Sequence, residues 1–264
     1  MKTLRLVLGD QLSRDLPSLT DLDPDKDLVL MAEVMSEVTY VKHHKRKIAY
    51  LFSAMRHFAK SLGDDGIAVR YRRLDDADNA GSLAGEVAAA IAVFAPDRIV
   101  VTAPGEYRLA DEMAGWQARF GLAVDIRADT RFLCSLDDFA EWAEGRKSLR
   151  MEFFYRDLRR RYQVLMEGDE PIGGKWNYDA DNRQPPKAGL AVPPPSSFAP
   201  DAITAEVLAL VEMRCADHFG QLAGFDFAVT RDQALDVLDQ FIAERLPLFG
   251  TYQDAMIEGE PWMY

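Results

Sequence analysis

Over the first 131 residues, short β-type runs alternate with segments of helical period, and few architectures accept that alternation. The runs are Leu4 to Leu8, Leu28 to Ala32, Ile67 to Tyr71, Ile99 to Thr102 and Ala123 to Ile126. Between them, Ile48, Leu51, Phe52, Met55, Phe58, Ala59 and Leu62 fall on one helical face. Val87, Ile91 and Phe94 repeat that spacing, as do Leu109, Met113, Trp116 and Phe120. The pattern predicts an α/β fold: a doubly wound, parallel five-stranded sheet of Rossmann-like type.

The alternation then stops. Ser135 with Asp138 reads as a capping box, and Met151, Phe154, Tyr155, Leu158, Tyr162 and Leu165 form one continuous apolar stripe. From Glu167 to Pro200 the chain is rich in Gly and Pro, a length that is either functional or a linker. Ile203, Val207, Leu210 and Val211 mark a further helix, and Thr230 with Gln233 caps another. The expected layout is an α/β domain over 1–131, a helical and Pro/Gly-rich connector over 132–200, and the first helices of an all-α domain over 201–264. Three helical segments enclose no core, and the aromatic end at Pro261 to Tyr264 has nothing to bury it, so a truncated domain is expected.

A net charge of −12 excludes a uniformly basic nucleic-acid coat but allows a local patch. Two cysteines, Cys134 and Cys215, form neither a disulfide framework nor a metal-binding spacing. With no signal-like or membrane-spanning run, a soluble, cytoplasmic monomer is the expectation.

In such a sheet, ligands bind outside the carboxyl ends of the strands. The loops that reach that edge carry Gly9-Asp10-Gln11-Leu12, then Glu33, Glu37 and Tyr40, then Pro104-Gly105-Glu106. None has a G-x-G-x-x-G or a G-x-x-x-x-G-K-[ST] pattern, so a pyrophosphate cradle is not expected. Asp10, Glu33, Glu37 and Glu106 would make the crevice acidic, which suits a neutral heterocycle or a polyol presenting donors. Single acids among them read equally well as helix caps.

The run His43-His44-Lys45-Arg46-Lys47 opposes the dipole of the helix it begins. It reads as a solvated basic face rather than a zinc site. Between Arg146 and Tyr162, seven cations stand against two acids, a local charge of +5. Arg156 and Arg160, one turn apart with Phe153 close by, fit contacts to backbone phosphate, as Arg146 and Lys147 do nearby. The alternative is an arginine-rich face pairing with acids. The connector places Lys175-Trp176-Asn177-Tyr178-Asp179 ahead of Asn182-Arg183-Gln184-Pro185. Its interleaved aromatics and cations, Lys175 and Arg183 among them, suit unpaired bases. Asp179 is a candidate for Mg²⁺ with Asp181.

Taken in order, several short motifs resemble the prokaryotic, iron–sulfur branch of the cryptochrome/photolyase family. They are Leu8-Gly9-Asp10-Gln11-Leu12, Glu33-Val34-Met35 through Tyr40, His43-His44-Lys45, Ser53 to Phe58, Asp75 to Asn79 and Pro104-Gly105-Glu106. Gly145-Arg146-Lys147-Ser148, Gly174-Lys175-Trp176-Asn177, Asn182 to Pro185 and Gln253-Asp254-Ala255-Met256 continue the series. The resemblance implies light-dependent repair of damaged DNA, of the six-four type, or a blue-light photoreceptor. It implies an antenna in the α/β domain, 6,7-dimethyl-8-ribityllumazine, held by Asp10, Glu37, Tyr40 and Leu51 with Gln11, Met35 and Glu106 nearby. Asp179, Arg183 and Asp254 would border the lesion and flavin cavity. FAD and a four-cysteine 4Fe–4S cluster would belong to a carboxyl-terminal half, and two cysteines do not ligate such a cluster. The 264 residues by themselves are therefore expected to be inactive as a lyase. The rival readings are a stand-alone α/β ligand- or nucleotide-binding module without catalysis, and a nucleotide-using enzyme or electron-transfer subunit on the same sheet.

Overall fold

A computed structural model describes residues 1–182, 184–187, 190–256 and 258–259. Arg183 and the aromatic end at 261–264 lie outside the described residues. The chain forms two compact units, one of Met1–Arg131 with Ser197–Ala234, the other of Phe132–Ser196 with Leu235–Tyr264.

Along the chain run β1 (Thr3–Leu6), β2 (Leu28–Ala32), α1 (Met35–Thr39), α2 (Lys45–Asp64), β3 (Val69–Arg72) and α3 (Leu83–Phe94). Next come β4 (Arg98–Thr102), α4 (Tyr107–Ala114), α5 (Trp116–Phe120), β5 (Ala123–Arg127), α6 (Leu136–Ala143) and α7 (Met151–Tyr162). A small hairpin, β6 (Met166–Glu167) and β7 (Glu170–Pro171), precedes α8 (Ala202–Arg214), α9 (Arg231–Gln240), a π-helical turn (Phe241–Arg245) and α10 (Leu246–Tyr252).

In the first unit the five strands are all parallel, in the order β3-β2-β1-β4-β5. This is the doubly wound α/β sheet that the alternation predicts. Strand side chains point to opposite faces in turn, and the sorting is visible residue by residue. Leu4, Leu6, Leu30, Ile99 and Val101 pack with α3, α4 and α5. Val29 and Met31 pack with α2 on the other face, and Val7, just past β1, joins them. Arg5 is a charged residue buried inside the sheet. It is 1% exposed and donates through Nε to Asp27 (2.8 Å) and through Nη1 to Asp21 (2.7 Å) and the Ser18 carbonyl (2.6 Å).

The segment over 197–234 joins this unit, although the sequence reading placed 201 onward in a separate helical domain. Here α8 buries Val207, Leu210, Val211 and Cys215 in the α2-side core. Lys45 pairs with Glu212 (3.0 Å), Arg56 lies 3.7 Å from Glu206, and His57 lies 3.1 Å from Asp201, so α2 and α8 run antiparallel. The face of α2 that α8 covers includes Lys45, Ala49, Ser53 and Arg56, all buried. A search for apolar spacing passes over a face built of small and charged side chains. Thr230 and Gln233 form the expected reciprocal cap, Gln233 N donating to Thr230 Oγ1 (3.2 Å) and Thr230 N to Gln233 Oε1 (3.3 Å).

In the second unit, Ser135 and Asp138 make the expected capping box at the start of α6. Trp142 and Phe139 of α6 meet Phe154 of α7 at centroid distances of 5.0 and 5.2 Å, and Trp142 Nε1 donates to Asp157 (2.9 Å). The continuous stripe read on α7 is not buried as one face: Met151, Tyr155, Tyr162 and Leu165 are exposed, and Arg159 is the buried residue of that helix. Among the described residues, no helix is long and apolar enough to cross a membrane.

Candidate functional site

The strand order reverses between β1 and β4, which is where a doubly wound sheet opens a crevice at the carboxyl ends of its strands. A cavity of about 380 Å³ lies there, a volume suited to a small heterocyclic ligand. Its walls come from the loop after β1 (Val7 to Asp10), the end of β2 (Ala32, Val34), α1 and the start of α2, and the loop after β4 (Pro104 to Glu106). Ile48, Leu51, Phe52 and Met55 line it from α2. Gly9 sits close to α2: a Cβ there would stand 3.0 Å from the Met55 sulfur, so the methionine would have to shift. The apolar walls meet polar groups in Asp10, Glu37, Tyr40, His43, Lys47 and Glu106.

A more open groove of about 600 Å³ lies between the outward side of α2, the Leu12 to Asp15 loop and Ala228 to Ala234. Of the cations that line it, Arg14 and Lys60 are engaged by Asp65 and Asp64, and Arg231 stands at its other side. The smaller cavity is the stronger site because it combines the switch point, apolar walls and convergent polar groups.

Of the residues expected at the antenna site, Asp10, Glu37, Tyr40, Leu51 and Glu106 line this cavity. Gln11 does not: it is fully buried and its amide donates to the Thr102 and Ala103 carbonyls (both 3.2 Å), tying the first loop to the end of β4. Met35 packs against the α2-side core instead.

Glu33, expected in the acidic crevice, is not among the residues that line it. Fully buried, it accepts from Arg56 Nε (2.6 Å) and Nη2 (3.0 Å), the Tyr71 hydroxyl (2.6 Å) and Leu74 N (3.0 Å). Burial works against the charge on Arg56, but Glu33 more than offsets it and holds the guanidinium above its ordinary value. Burial and then the Glu33 charge push the Tyr71 phenol well above its ordinary value, so it stays a donor.

Nor is the crevice simply acidic. Arg108, which the sequence reading passed over, forks onto Glu37 (Nη1 to Oε1 3.1 Å, Nη2 to Oε2 2.6 Å) and donates through Nε to Glu106 (2.7 Å). Its guanidinium lies over the Tyr40 ring, 4.4 Å from the centroid. The Glu37 and Glu106 contacts together hold Arg108 protonated far above its ordinary value. The one sequence signal for it is a cation two residues after Glu106, in the first turn of a helix, where cations are disfavoured.

His44, Lys45 and Arg46 of the basic run have capping or tertiary partners, while Lys47 is exposed. His44 caps α2 by accepting from Arg46 N (3.0 Å), Lys45 pairs with Glu212, and Arg46 donates to the Gln221 (3.0 Å) and Ala223 carbonyls. Lys47 lines the cavity with its Nζ 3.3 Å from His43 Nδ1. Burial first, and then Lys47, hold His43 below its ordinary value, which keeps the ring neutral near pH 7.

In the second unit the cations gather on one aromatic. Trp176 lies under Arg156 (5.4 Å), Arg159 (5.3 Å) and Arg160 (4.5 Å). Arg156 is also paired to Glu152 (2.7 Å) and Arg160 to Asp157 (3.2 Å), so each carries an internal partner as well. Arg146 lies 4.2 Å over the Trp142 ring, Lys147 is exposed, and Lys175 stands 3.8 Å from Asp181. Asp179 is exposed and accepts from Asn177 Nδ2 (3.0 Å), and Asp254 is exposed after α10. Among the described residues, no three or more His, Cys, Asp or Glu side chains converge to hold a metal ion.

A family model described as deoxyribodipyrimidine photo-lyase-related protein matches residues 5–227. The chain is 52% identical over 261 residues to a (6-4) photolyase of Agrobacterium fabrum, a match covering 99% of this chain and 52% of that relative. It is 24% identical over 193 residues to an uncharacterised protein of Acanthamoeba polyphaga mimivirus, covering 70% of this chain and 95% of that one. The chain thus spans about half the length of the Agrobacterium relative.

Proposed function

The chain belongs to the deoxyribodipyrimidine photo-lyase-related family, and from that premise we propose that it is the pigment-bearing part of a light-dependent lyase for (6-4) pyrimidine photoproducts. The observation that carries the proposal is the cavity at the strand-order switch. Its apolar walls suit the face of a heterocycle, and Glu37, Tyr40 and Glu106 at its polar side suit ring N–H and hydroxyl donors. A ribityllumazine fits that donor set better than a nucleotide, because the lining loops lack the glycine pattern of a phosphate cradle. The residues of this chain that would hold it are Asp10, Glu37, Tyr40, Leu51 and Glu106, with Val7, Phe52 and Met55 closing the apolar side. When bound, such a pigment supplies absorption of near-ultraviolet or blue light.

In the whole protein, FAD and an iron–sulfur cluster would be held by residues other than these; two cysteines, one of them the buried Cys215, do not supply four thiolates. The exposed apolar side chains of α7 favour further protein covering the second unit. The lesion would be met flipped out of the duplex, with Asp179 and Asp254 bordering its pocket; Arg183, expected there by resemblance, lies outside the described residues.

Purified chain is expected to show a near-ultraviolet absorption band, and denaturation is expected to release 6,7-dimethyl-8-ribityllumazine, identified by its mass, without flavin. A colourless protein that takes up no added lumazine at micromolar concentration would overturn the pigment assignment. Light-driven repair of a (6-4) lesion by the whole protein separates a lyase from a photoreceptor.

Contact with DNA phosphate falls to the cations around Trp176. Reversing Arg156 and Arg160 to glutamate is expected to weaken DNA binding by the whole protein about tenfold or more. The same change should flatten the slope of log K against log salt by roughly 2. Unchanged affinity and slope would leave both arginines as partners of Glu152, Asp157 and Trp176 only.

A stand-alone module without catalysis is the second reading. It is favoured by the mimivirus relative, which the chain matches over 95% of that protein's length. Stable, pigment-bearing chain with no repair activity in any longer form would support it.

A further inference from the structure

We propose that Arg108 is the positioning residue of the cavity, setting the geometry of three lining groups from outside it; the proposal rests on the pigment-site reading above. Glu37, Tyr40 and Glu106 all line the cavity, and they come from two separate stretches of chain. One guanidinium holds all three: a two-pronged ion pair to Glu37, a hydrogen bond to Glu106, and a stacked contact on the Tyr40 ring.

Two independent features single this residue out. Arg108 stands in the first turn of α4, where the helix dipole opposes a cation, so nothing local favours it there. And α1, which carries Glu37, is five residues long, has no side-chain cap and buries only Val38. A helix that short does not hold itself together in water. The backbone of this helix is tied by Ser36 N to the Gly81 carbonyl (3.0 Å), by the His43 ring on the Glu37 backbone, and by Met35 and Val38 in the α2-side core. The Glu37 carboxylate itself, apart from the neighbouring Ser36 hydroxyl (3.5 Å), is held by the Arg108 fork, which fixes where it points.

The chemistry of the fork leaves the site usable. An ionised carboxylate offers about four lone-pair positions, and a two-pronged arginine takes about two of them. The Ser36 hydroxyl approaches Oε1 at 3.5 Å as a further, weaker donor, and the positions left over are available to ligand N–H or hydroxyl donors. The arginine also offsets the repulsion between Glu37 and Glu106, whose charges would otherwise push the two stretches of chain apart. Lysine would supply the charge without the planar fork, so the conservative variant separates charge from geometry.

The test uses Arg108→Gln and Arg108→Lys in the purified chain, titrated with 6,7-dimethyl-8-ribityllumazine and followed by ligand fluorescence. Arg108→Gln is expected to raise the dissociation constant about tenfold or more, with Arg108→Lys between it and the parent. In the absence of ligand, the amides of Glu37, Val38 and Thr39 are expected to exchange hydrogen faster in Arg108→Gln, while those of β1 and β4 are unchanged. Parent-like affinity within about twofold for Arg108→Gln would overturn the proposal. If the parent chain takes up no lumazine, the pigment reading fails by itself, and the exchange measurement still decides: unchanged rates across α1 overturn the positioning role.

Discussion

Replacing Glu33 by alanine is expected to cost the chain about 3–5 kcal/mol of stability, the range for breaking a buried ion pair from one side. The reason is what the substitution leaves behind. Arg56, with its side chain 6% exposed, would keep its charge and lose both short bonds to Glu33. The nearest remaining carboxylate is Glu206 at 3.7 Å, too long for a good hydrogen bond. The Tyr71 hydroxyl and Leu74 N lose their acceptor in the same step. Glu33→Gln keeps an acceptor and most of the volume, so it is expected to fall between the parent and alanine. Urea unfolding of the three proteins, followed by far-ultraviolet circular dichroism, measures the order. A loss below about 1 kcal/mol for Glu33→Ala would mean that water or a shift of Arg56 replaces the pair, and that the network is not a principal support of this edge of the sheet.

Glu33 also shows where the sequence was legible and where it was under-read. The strands follow from short continuous β-type runs and the helices between them from apolar residues spaced by 3.6, and both signals are local. The alternation of side chains along a strand holds the answer for Glu33. Val29 and Met31 face α2, and Glu33 shares their parity, whereas Ala32 and Val34 share the parity that lines the cavity. Grouping Glu33 with Glu37 and Glu106 by charge ignored that parity. What lay beyond reach was pairing across long separations. Arg108 meets Glu37 over 71 residues, and Lys45 meets Glu212 over 167. Nothing in the local pattern of a cation says which acid the fold brings to it. The return of α8 onto α2 was hidden for a related reason, since Ala49 and Ser53 mark a close helix contact by being small rather than apolar. On α7 the spacing of Met151, Tyr155 and Tyr162 reports a face suited to burial, and the spacing carries no information on what covers it.

Leu51→Trp is expected to abolish pigment binding, raising the dissociation constant for 6,7-dimethyl-8-ribityllumazine by at least about a hundredfold, which is about 2.7 kcal/mol. Leu51 lines the cavity from α2, one turn from Lys47 on one side and Met55 on the other. An indole placed there occupies the space against the apolar wall where a bicyclic ligand would lie. Overpacking a filled core costs about 1–3 kcal/mol, but here the new ring enters existing space, so the free energy of unfolding is expected to change by less than about 1 kcal/mol. That separation of binding from stability is what identifies the cavity as the site. Leu51→Met, close to the same volume, is the control and is expected to bind as the parent does. Retained pigment in a folded Leu51→Trp chain would place the ligand against another wall. The open groove beyond α2, between Tyr50 and Phe58, would then be the place to look.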